Sequence, residues 1–292
     1  MTVFRKVVII GVGLIGGSLA MVLREKGMAE RVVGVGRGVD NLKIALSRGI
    51  IDEYTHDAKE AAPGADLIII ATPVGTMGSV VENIAPSLER GAIVTDVGSV
   101  KGPIIEDIES LMPEGTFFVA AHPIAGTENS GADAAFPTLF RDRACIITPT
   151  VRTDGEALEK VTKMWEATGS HVVRMDAERH DVILAAISHL PHIAVYALVN
   201  AVAGASGDGE SILNYSAGGF TDFTRIASSS PEMWRDICLM NRDALIKVID
   251  SFQENVARMK DFIEREDGTA LVEEFNKAKR FRDSLKESGG RG

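Results

Sequence analysis

The sequence predicts an α/β nucleotide-binding domain followed by an all-α domain. Three observations predict this division: a glycine-rich turn directly after the first apolar strand, alternation of apolar strands with helical segments, and loss of every strand pattern after Met175. Strands that are apolar throughout and alternate with helices are typical of a parallel, doubly wound sheet. We therefore expect residues 1–175 to form the first domain and residues 176–292 the second.

Composition and charge narrow the class of protein. The chain has 45% apolar and 25% charged residues, as soluble globular proteins do, and its formal net charge of −10 argues against a nucleic-acid or anionic-membrane binder. Cys145 and Cys238 fit no metal or redox spacing and favour a reducing compartment. No apolar run approaches the length of a membrane span, and Met1 leads into a strand without room for a secretory signal. We expect a cytoplasmic protein with no nucleic-acid or membrane partner.

A glycine-rich turn follows the first predicted strand, Lys6–Ile10, and opens a helix. Its spacing is GxGxxG in the strand–turn–helix context of a Rossmann-like domain. The first glycine permits the turn, the second lets a pyrophosphate approach the backbone, and the third lets the helix pack on the strand. The phosphates would then bind free N–H groups at the positive end of the helix dipole. The predicted cofactor contacts in this turn are Gly11, Gly13, Leu14, Ile15 and Gly16.

The end of the second strand, Arg31–Val35, bears on the choice of nucleotide. A carboxylate that binds the ribose 2′-hydroxyl of NAD is expected about 20 residues past the last motif glycine. Gly36 occupies that place and Arg37 follows it, which favours the 2′-phosphate of NADP over NAD. If Arg37 is only a solvated loop residue, either nucleotide would bind.

Polar residues follow further strands at the same predicted sheet edge. Thr72 and Pro73 end one strand, and Ser99 follows the next. Ser99 either caps the helix that begins near Pro103 or faces the nicotinamide, and both roles are compatible. His122 ends the apolar run Phe117–Ala121; an isolated histidine before proline would more often be structural. Two later runs, Cys145–Thr148 and His171–Met175, are expected to extend this sheet.

The second half is predicted to be helical. The segment from His180 to about Val202 is apolar nearly all round, which indicates the centre of a bundle or a subunit interface. Its interruption contains Ser188, His189, Pro191 and His192, and Pro191 predicts a kink. The two histidines have no acidic partner at metal-site spacing, so we expect no metal. They either line a cavity that binds a polar molecule or are buried structural residues.

A second dense stretch, Gly218–Ala227, predicts a tight loop and a short helix. Its Arg225 either pairs with Asp222 or Glu128, or binds a substrate carboxylate through its planar guanidinium. Another helix is expected to begin at Ser230-Pro231. Helices over about 241–265 and 268–285 complete the second domain, and their charge pattern suits a dimer interface.

Taken together, six motifs resemble the prephenate/arogenate dehydrogenase family of tyrosine biosynthesis. They run in family order across essentially the whole chain: Gly11–Ser18, Asp96–Gly102, His122–Glu128, Ser188–His192, Gly219–Ala227 and Pro231–Asp236. The resemblance implies an N-terminal nucleotide-binding domain, a helical C-terminal domain that forms a homodimer, and an active site in the cleft between them. Neither an appended regulatory ACT domain nor a fused chorismate mutase is expected.

The resemblance also assigns roles to individual residues. His122 matches the catalytic histidine, Ser99 the serine beside nicotinamide and substrate, and Arg225 the arginine that binds a substrate carboxylate. Further matches to the substrate cleft are His192, Ser188, His189, Thr127, Glu128, Asp222 and Trp234. Glu128 and Asp222 resemble an acidic pair that gates or orients the arginine.

The implied reaction is oxidative decarboxylation of prephenate to 4-hydroxyphenylpyruvate, or of arogenate to tyrosine, with hydride transfer to NAD(P)+. A neutral imidazole suits it, because the hydroxyl carbon gains carbonyl character as hydride leaves. One alternative is another two-domain hydroxyacid dehydrogenase, but those relatives usually place a catalytic lysine on the long helix. Another is a non-catalytic nucleotide-sensing protein, which would not need His122, Ser99 and Arg225 on one cleft.

Overall fold

The computed structural model describes residues 3–204 and 215–288. They form two compact units, the first ending at Asn241 and the second beginning at Arg242. The predicted domain boundary between residues 175 and 176 lies inside the first unit and stays a prediction.

A six-stranded parallel sheet forms the centre of the first unit. Its strands are β1 (Phe4–Ile10), β2 (Ala29–Val35), β3 (Glu53–Thr55), β4 (Leu67–Ile70), β5 (Ile93–Asp96) and β6 (Phe117–Val119). They lie in the order β3-β2-β1-β4-β5-β6, the order of a dinucleotide-binding fold, which confirms the predicted parallel sheet. Sequence reasoning missed β3, because a half-buried edge strand of three residues has too short an apolar pattern.

Helices cover both faces of this sheet. They are α1 (Leu14–Glu25), α2 (Val39–Ser47), α3 (Ala58–Ala61), α4 (Met77–Ile84), α5 (Gly102–Leu111) and α6 (Gly155–Ala167). Because side chains alternate along a strand, Val7 and Ile9 enter one core cluster, with Leu19 of α1. Val8 and Ile10 enter the other, which also contains residues of α4 and α5. The strands are therefore apolar throughout, as the sequence shows.

A second, three-stranded sheet corrects the sequence prediction around His122. The strands are β7 (Ala121–Pro123), β8 (Ala144–Ile147) and β9 (His171–Arg174), in that order. The run from Phe117 is thus two strands, and β8 and β9 do not extend the first sheet. His122 lies inside β7, opposite Ile146 in an antiparallel pair, rather than after a strand end. The chain changes sheet at Ala120.

Four helices complete the first unit: α7 (Ala177–Leu184), α8 (Leu190–Gly204), α9 (Gly218–Thr224) and α10 (Pro231–Met240). Ala185–His189 forms a π-helical turn between α7 and α8, where sequence reasoning expected a simple kink. Pro191 has no N–H to donate to the carbonyl four residues earlier, so a wider turn is accommodated before it. The Ser230 hydroxyl accepts from the Met233 N–H at 3.3 Å, confirming the predicted start of α10.

The helical run Ala177–Gly204 is long and apolar enough, by length and composition, to cross a membrane. Sequence reasoning found no such run, because Ser188, His189, Pro191 and His192 interrupt the apolar residues. Only 22% of the most apolar window is buried. Core helices of soluble proteins pass the same test, and this run carries His180, Asp181 and His189 in buried positions.

The second unit consists of α11 (Arg242–Glu264) and α12 (Gly268–Ser288). Asp267 caps α12 by accepting from the Ala270 N–H at 3.0 Å. In the described part of the chain no strand follows Arg174, as the sequence predicts.

Candidate active site

A cleft of about 980 Å³ lies at the carboxyl edge of the six-stranded sheet. Its size is in the range of cofactor sites. Gly11 has φ +99°, and a Cβ there would lie 2.4 Å from the Ala71 carbonyl oxygen, so only glycine fits. A Cβ on Gly13 would meet nothing within 4 Å, which leaves that backbone open to a ligand. No side chain caps α1, so its first N–H groups can bind phosphate. These residues fit a dinucleotide.

The predicted cofactor residues divide into two groups. Gly11, Gly13, Arg37, Thr72 and Pro73 line the cleft, whereas Leu14, Ile15, Gly16 and Ser99 do not. Gly16 instead packs α1 on β1, because a Cβ there would lie 2.3 Å from the Gly11 carbonyl oxygen.

His56 also lines the cleft, although sequence reasoning assigned it nothing. Its Nδ1 hydrogen-bonds the Gly36 carbonyl at 2.7 Å, beside Arg37. It follows the missed strand β3, so no strand end was predicted near it.

His122 is buried in β7, and its ring meets a second histidine. Its Nδ1 lies 2.8 Å from Nε2 of His180, and the two rings pack edge to face at 5.1 Å. Burial is the main cause that holds the pKa of His122 well below its ordinary value of 6.5, and the nearby Lys101 ammonium acts in the same direction. The ring is therefore neutral at pH 7 and able to accept a proton.

A buried ion pair between Asp96 and Lys101 holds the backbone next to His122. The Asp96 carboxylate accepts from the Ala121 N–H at 3.1 Å and from the Gly98 N–H at 2.7 Å. Lys101 Nζ donates to the Ala121 carbonyl at 2.9 Å. Both ions are fully buried and hydrogen-bonded, the condition under which a buried pair is tolerated.

Asp181 connects His180 to the start of α5. Its carboxylate accepts from the Lys101 and Gly102 N–H groups, each at 2.8 Å, and lies 2.7 Å from Nδ1 of His180. Burial opposes ionisation, but the hydrogen bonds from His180, Gly102 and Lys101 outweigh it and lower the pKa of Asp181. Asp181 thus supplies the cap that sequence reasoning considered for Ser99, which makes no side-chain cap to α5.

His189 and His192 both approach Trp234. The His192 ring stacks on the indole at 3.6 Å, and the His189 ring lies 6.0 Å from it. The Asn241 amide donates to the Asp181 carbonyl at 2.8 Å and to His189 Nδ1 at 3.0 Å. Burial lowers the pKa of His189 to about 4, and the charge of Asp181 opposes that shift only in part. Burial also lowers the pKa of His192.

The predicted carboxylate-binding arginine is paired and exposed. Arg225 Nη1 donates to the Glu128 carboxylate at 2.8 Å, and of the two acidic candidates it pairs with Glu128 rather than Asp222. Thr127 and Asp222 are exposed, and Ser188 is half-buried with its carbonyl 2.9 Å from His192 Nδ1.

Sequence reasoning missed His180, Asp181 and Asn241. These residues join His122 and His189 across 52 to 60 positions of chain, and no local spacing signals such bonds. Among the described residues, no group of three or more His, Cys, Asp or Glu could hold a metal ion.

Comparison with known families gives two matches. Residues 19–174 match the prephenate dehydrogenase nucleotide-binding domain, and residues 176–277 match the prephenate dehydrogenase dimerization domain. A cyclohexadienyl dehydrogenase of Zymomonas mobilis is 38% identical over 289 residues, covering 98% of each chain. A prephenate dehydrogenase of Bacillus subtilis is 35% identical, covering 96% of this chain and 76% of its own.

Solved structures give the same result. The fold resembles prephenate dehydrogenase from Aquifex aeolicus in complex with hydroxyphenyl propionate and NAD+, with TM-score 0.90, 37% identity, and 96% and 98% of the two chains covered. Synechocystis arogenate dehydrogenase has TM-score 0.79, 31% identity, and 96% and 100% coverage. The chain belongs to the prephenate/cyclohexadienyl dehydrogenase family, NAD(P)-dependent oxidoreductases of tyrosine biosynthesis.

Proposed function

We propose that His122 is the base of this dehydrogenase. The observation that carries the proposal is a buried, neutral imidazole whose described hydrogen bond uses Nδ1 and leaves Nε2 for a substrate. A general base must be unprotonated at working pH and within hydrogen-bond reach of the proton it accepts. The low pKa satisfies the first condition.

The proposed substrate is prephenate or arogenate. Bound nicotinamide would take the hydride from the ring carbon that bears the hydroxyl. His122 accepts the hydroxyl proton as that C–H bond breaks. The bond from the ring to its carboxylate then breaks, CO2 leaves, and the electron pair enters the ring. His122 returns the proton to the phenolic oxygen, so no net proton is released.

Arg225 is proposed to bind a carboxylate of the substrate, in exchange for Glu128. The pair is 2.8 Å long but its guanidinium is 59% exposed, so Glu128 can be displaced at small cost. Ser99, Thr127 and the residues around Trp234 are proposed to contact the substrate or the nicotinamide, as the family motifs suggest. The stacked His192 would present a neutral ring there.

NADP is the proposed preferred nucleotide. No carboxylate stands directly at the end of β2, and Arg37 lines the cleft at that point. A guanidinium there would pair with the 2′-phosphate that distinguishes NADP. The homodimer remains a proposal too, supported by the match to a dimerization domain.

Purified full-length protein assayed with prephenate or arogenate, each crossed with NADP or NAD, tests this function. We expect nucleotide reduction with at least one acid and a higher kcat/KM with NADP. Absence of turnover in all four combinations would contradict the proposed substrates. A strong preference for NAD would contradict only the proposed role of Arg37 and not the proposed substrates.

A further inference from the structure

We propose that His180 and Asp181 are positioning residues that hold His122 in the tautomer whose Nε2 carries the lone pair. The proposal rests on the proposed function of His122 as the base and specifies how that base is prepared. It concerns the chain of contacts Asp181–His180–His122, which links the start of α5 to strand β7.

The first group in this series of contacts, the Asp181 carboxylate, can only accept hydrogen bonds. The Asp181 carboxylate receives two backbone N–H groups at 2.8 Å, from Lys101 and Gly102 at the positive end of α5. These donors keep it ionised, and an ionised carboxylate has no hydrogen to give. The hydrogen in the 2.7 Å contact between Asp181 Oδ1 and His180 Nδ1 is therefore on His180.

The contact between His180 and His122 determines the tautomer of His122. The proposal takes the His180 ring in its neutral form, because the ring is fully buried and burial disfavours a charged imidazole. In a neutral imidazole with Nδ1 protonated, Nε2 is an acceptor. The 2.8 Å contact to His122 is then donated by His122 Nδ1, and the lone pair of His122 is on Nε2.

This arrangement matters because the opposite tautomer of His122 would carry its proton on Nε2. That nitrogen could not then accept the substrate proton. After His122 accepts a proton, Nδ1 still donates to His180, so the same hydrogen bonds suit both states of the base. An acidic residue that fixes the tautomer of a catalytic histidine is a known device in hydrolases. Here a second histidine stands between the two.

Variants of His180 test the proposal by function. His180→Phe keeps a planar ring but removes the acceptor for His122 Nδ1, whereas His180→Gln keeps an amide oxygen that can accept. With the acid that the crossed assay shows to be turned over, we expect kcat of His180→Phe to fall about 100-fold, with KM and nucleotide Kd nearly unchanged. His180→Gln should recover at least about tenfold of that loss. Wild-type kcat in His180→Phe, or no recovery in His180→Gln, would overturn the proposal.

Nitrogen NMR of the wild-type protein tests it without any substitution in the positioning residues. The side chains are labelled with ¹⁵N-histidine at pH 7, and the His122 signals are assigned by their absence from a His122→Asn variant. We expect Nδ1 of His122 protonated and Nε2 unprotonated; the reverse pattern would overturn the proposal. A wrong tautomer proposal can be distinguished from a wrong assignment of the base. The activity of His122→Asn tests the base irrespective of the tautomer.

Discussion

Burial lowers the pKa of His122 and of His189, so both rings lie in the site without charge at pH 7. The charged groups beside them are paired: Lys101 with Asp96, and Asp181 with backbone N–H groups. A low dielectric thus favours a neutral base, while each buried charge has its partners. At the scale of single residues, burial and hydrogen bonding prepare the site for proton transfer.

The low pKa of His189 predicts a pH-dependent stability. Its pKa is about 4 in the folded protein against 6.5 for a free imidazole, so the unfolded chain binds more protons between these values. Stability therefore falls as pH drops through 6.5. Between pH 7.5 and 5.5 this one group should lower the free energy of unfolding by about 1 kcal/mol.

His189→Gln removes the titration but keeps an acceptor for Asn241. Urea unfolding at the two pH values should show that the wild type loses about 1 kcal/mol more than His189→Gln does. Equal losses in the two proteins would show that His189 is not held neutral by burial.

Arg225 predicts a separation of KM from kcat. Arg225→Ala removes a charge-assisted contact to the substrate carboxylate, so KM should rise about 10- to 100-fold while kcat changes little. Arg225→Lys keeps the charge without the planar guanidinium, so its KM should lie between those of the wild type and Arg225→Ala. Steady-state kinetics measures both constants. An unchanged KM in Arg225→Ala would remove this residue from the carboxylate site.

At the scale of elements, the glycines of the glycine-rich turn serve two purposes, helix packing and ligand binding. Gly16 lets α1 pack on β1, whereas Gly13 leaves room for a ligand. Their different surroundings predict different effects of the same substitution.

Gly16→Ala should destabilise the fold, and Gly13→Ala should weaken nucleotide binding. A methyl group on Gly16 would lie 2.3 Å from the Gly11 carbonyl oxygen and 2.9 Å from Ile9 Cγ2. We expect a loss of about 1–3 kcal/mol in the free energy of unfolding. Gly13→Ala meets nothing within 4 Å in the protein, but alanine is a poorer N-cap of α1 than glycine, so the free energy of unfolding should fall by only about 0.5 kcal/mol. Its nucleotide Kd should rise. Similar unfolding curves for the two variants would contradict this division.

Much of the element order could be predicted from sequence, because buried parallel strands and amphipathic helices have strong local patterns. The second sheet could not. Phe117–Ala121 reads as one strand, yet the chain leaves the first sheet at Ala120, where Asp96 and Lys101 hold the Ala121 backbone. Those bonds join residues 20 and 25 positions apart, beyond the reach of periodicity.

The sequence likewise predicted only part of the candidate site. Glycine spacing and the family motifs pointed to Gly11, His122 and Arg225 without any structure. They did not point to His180 or Asp181, because an adjacent His-Asp pair at the start of a helix has no distinctive spacing. Their significance comes from the contact of His180 with His122, 58 residues away, and from the contact of Asp181 with His180.

At the scale of the whole molecule, apolar side chains remain exposed on the helices of the second unit. The large exposed ones are Ile246, Phe252, Val256, Ile263, Val272, Phe275 and Phe281. Exposed apolar surface of this kind marks interaction sites, and a homodimer would cover it.

Sedimentation equilibrium should therefore give twice the 31.2 kDa mass of the chain. Phe275→Glu should shift the protein towards the monomer, because it places a charge in the apolar interface. Glu273→Lys, an exposed change two residues before Phe275 and therefore on another face of the same helix, serves as the control and should leave the mass unchanged. A monomeric wild type would contradict the proposed dimer.

The central claim is that His122 accepts the substrate proton, and single-turnover kinetics of His122→Asn at saturating acid and nucleotide tests it most directly. The asparagine amide can still donate to His180 but cannot accept a proton as a base. We predict that the rate of nucleotide reduction falls about 100- to 10,000-fold while nucleotide affinity is retained. A rate close to that of the wild type would contradict the account.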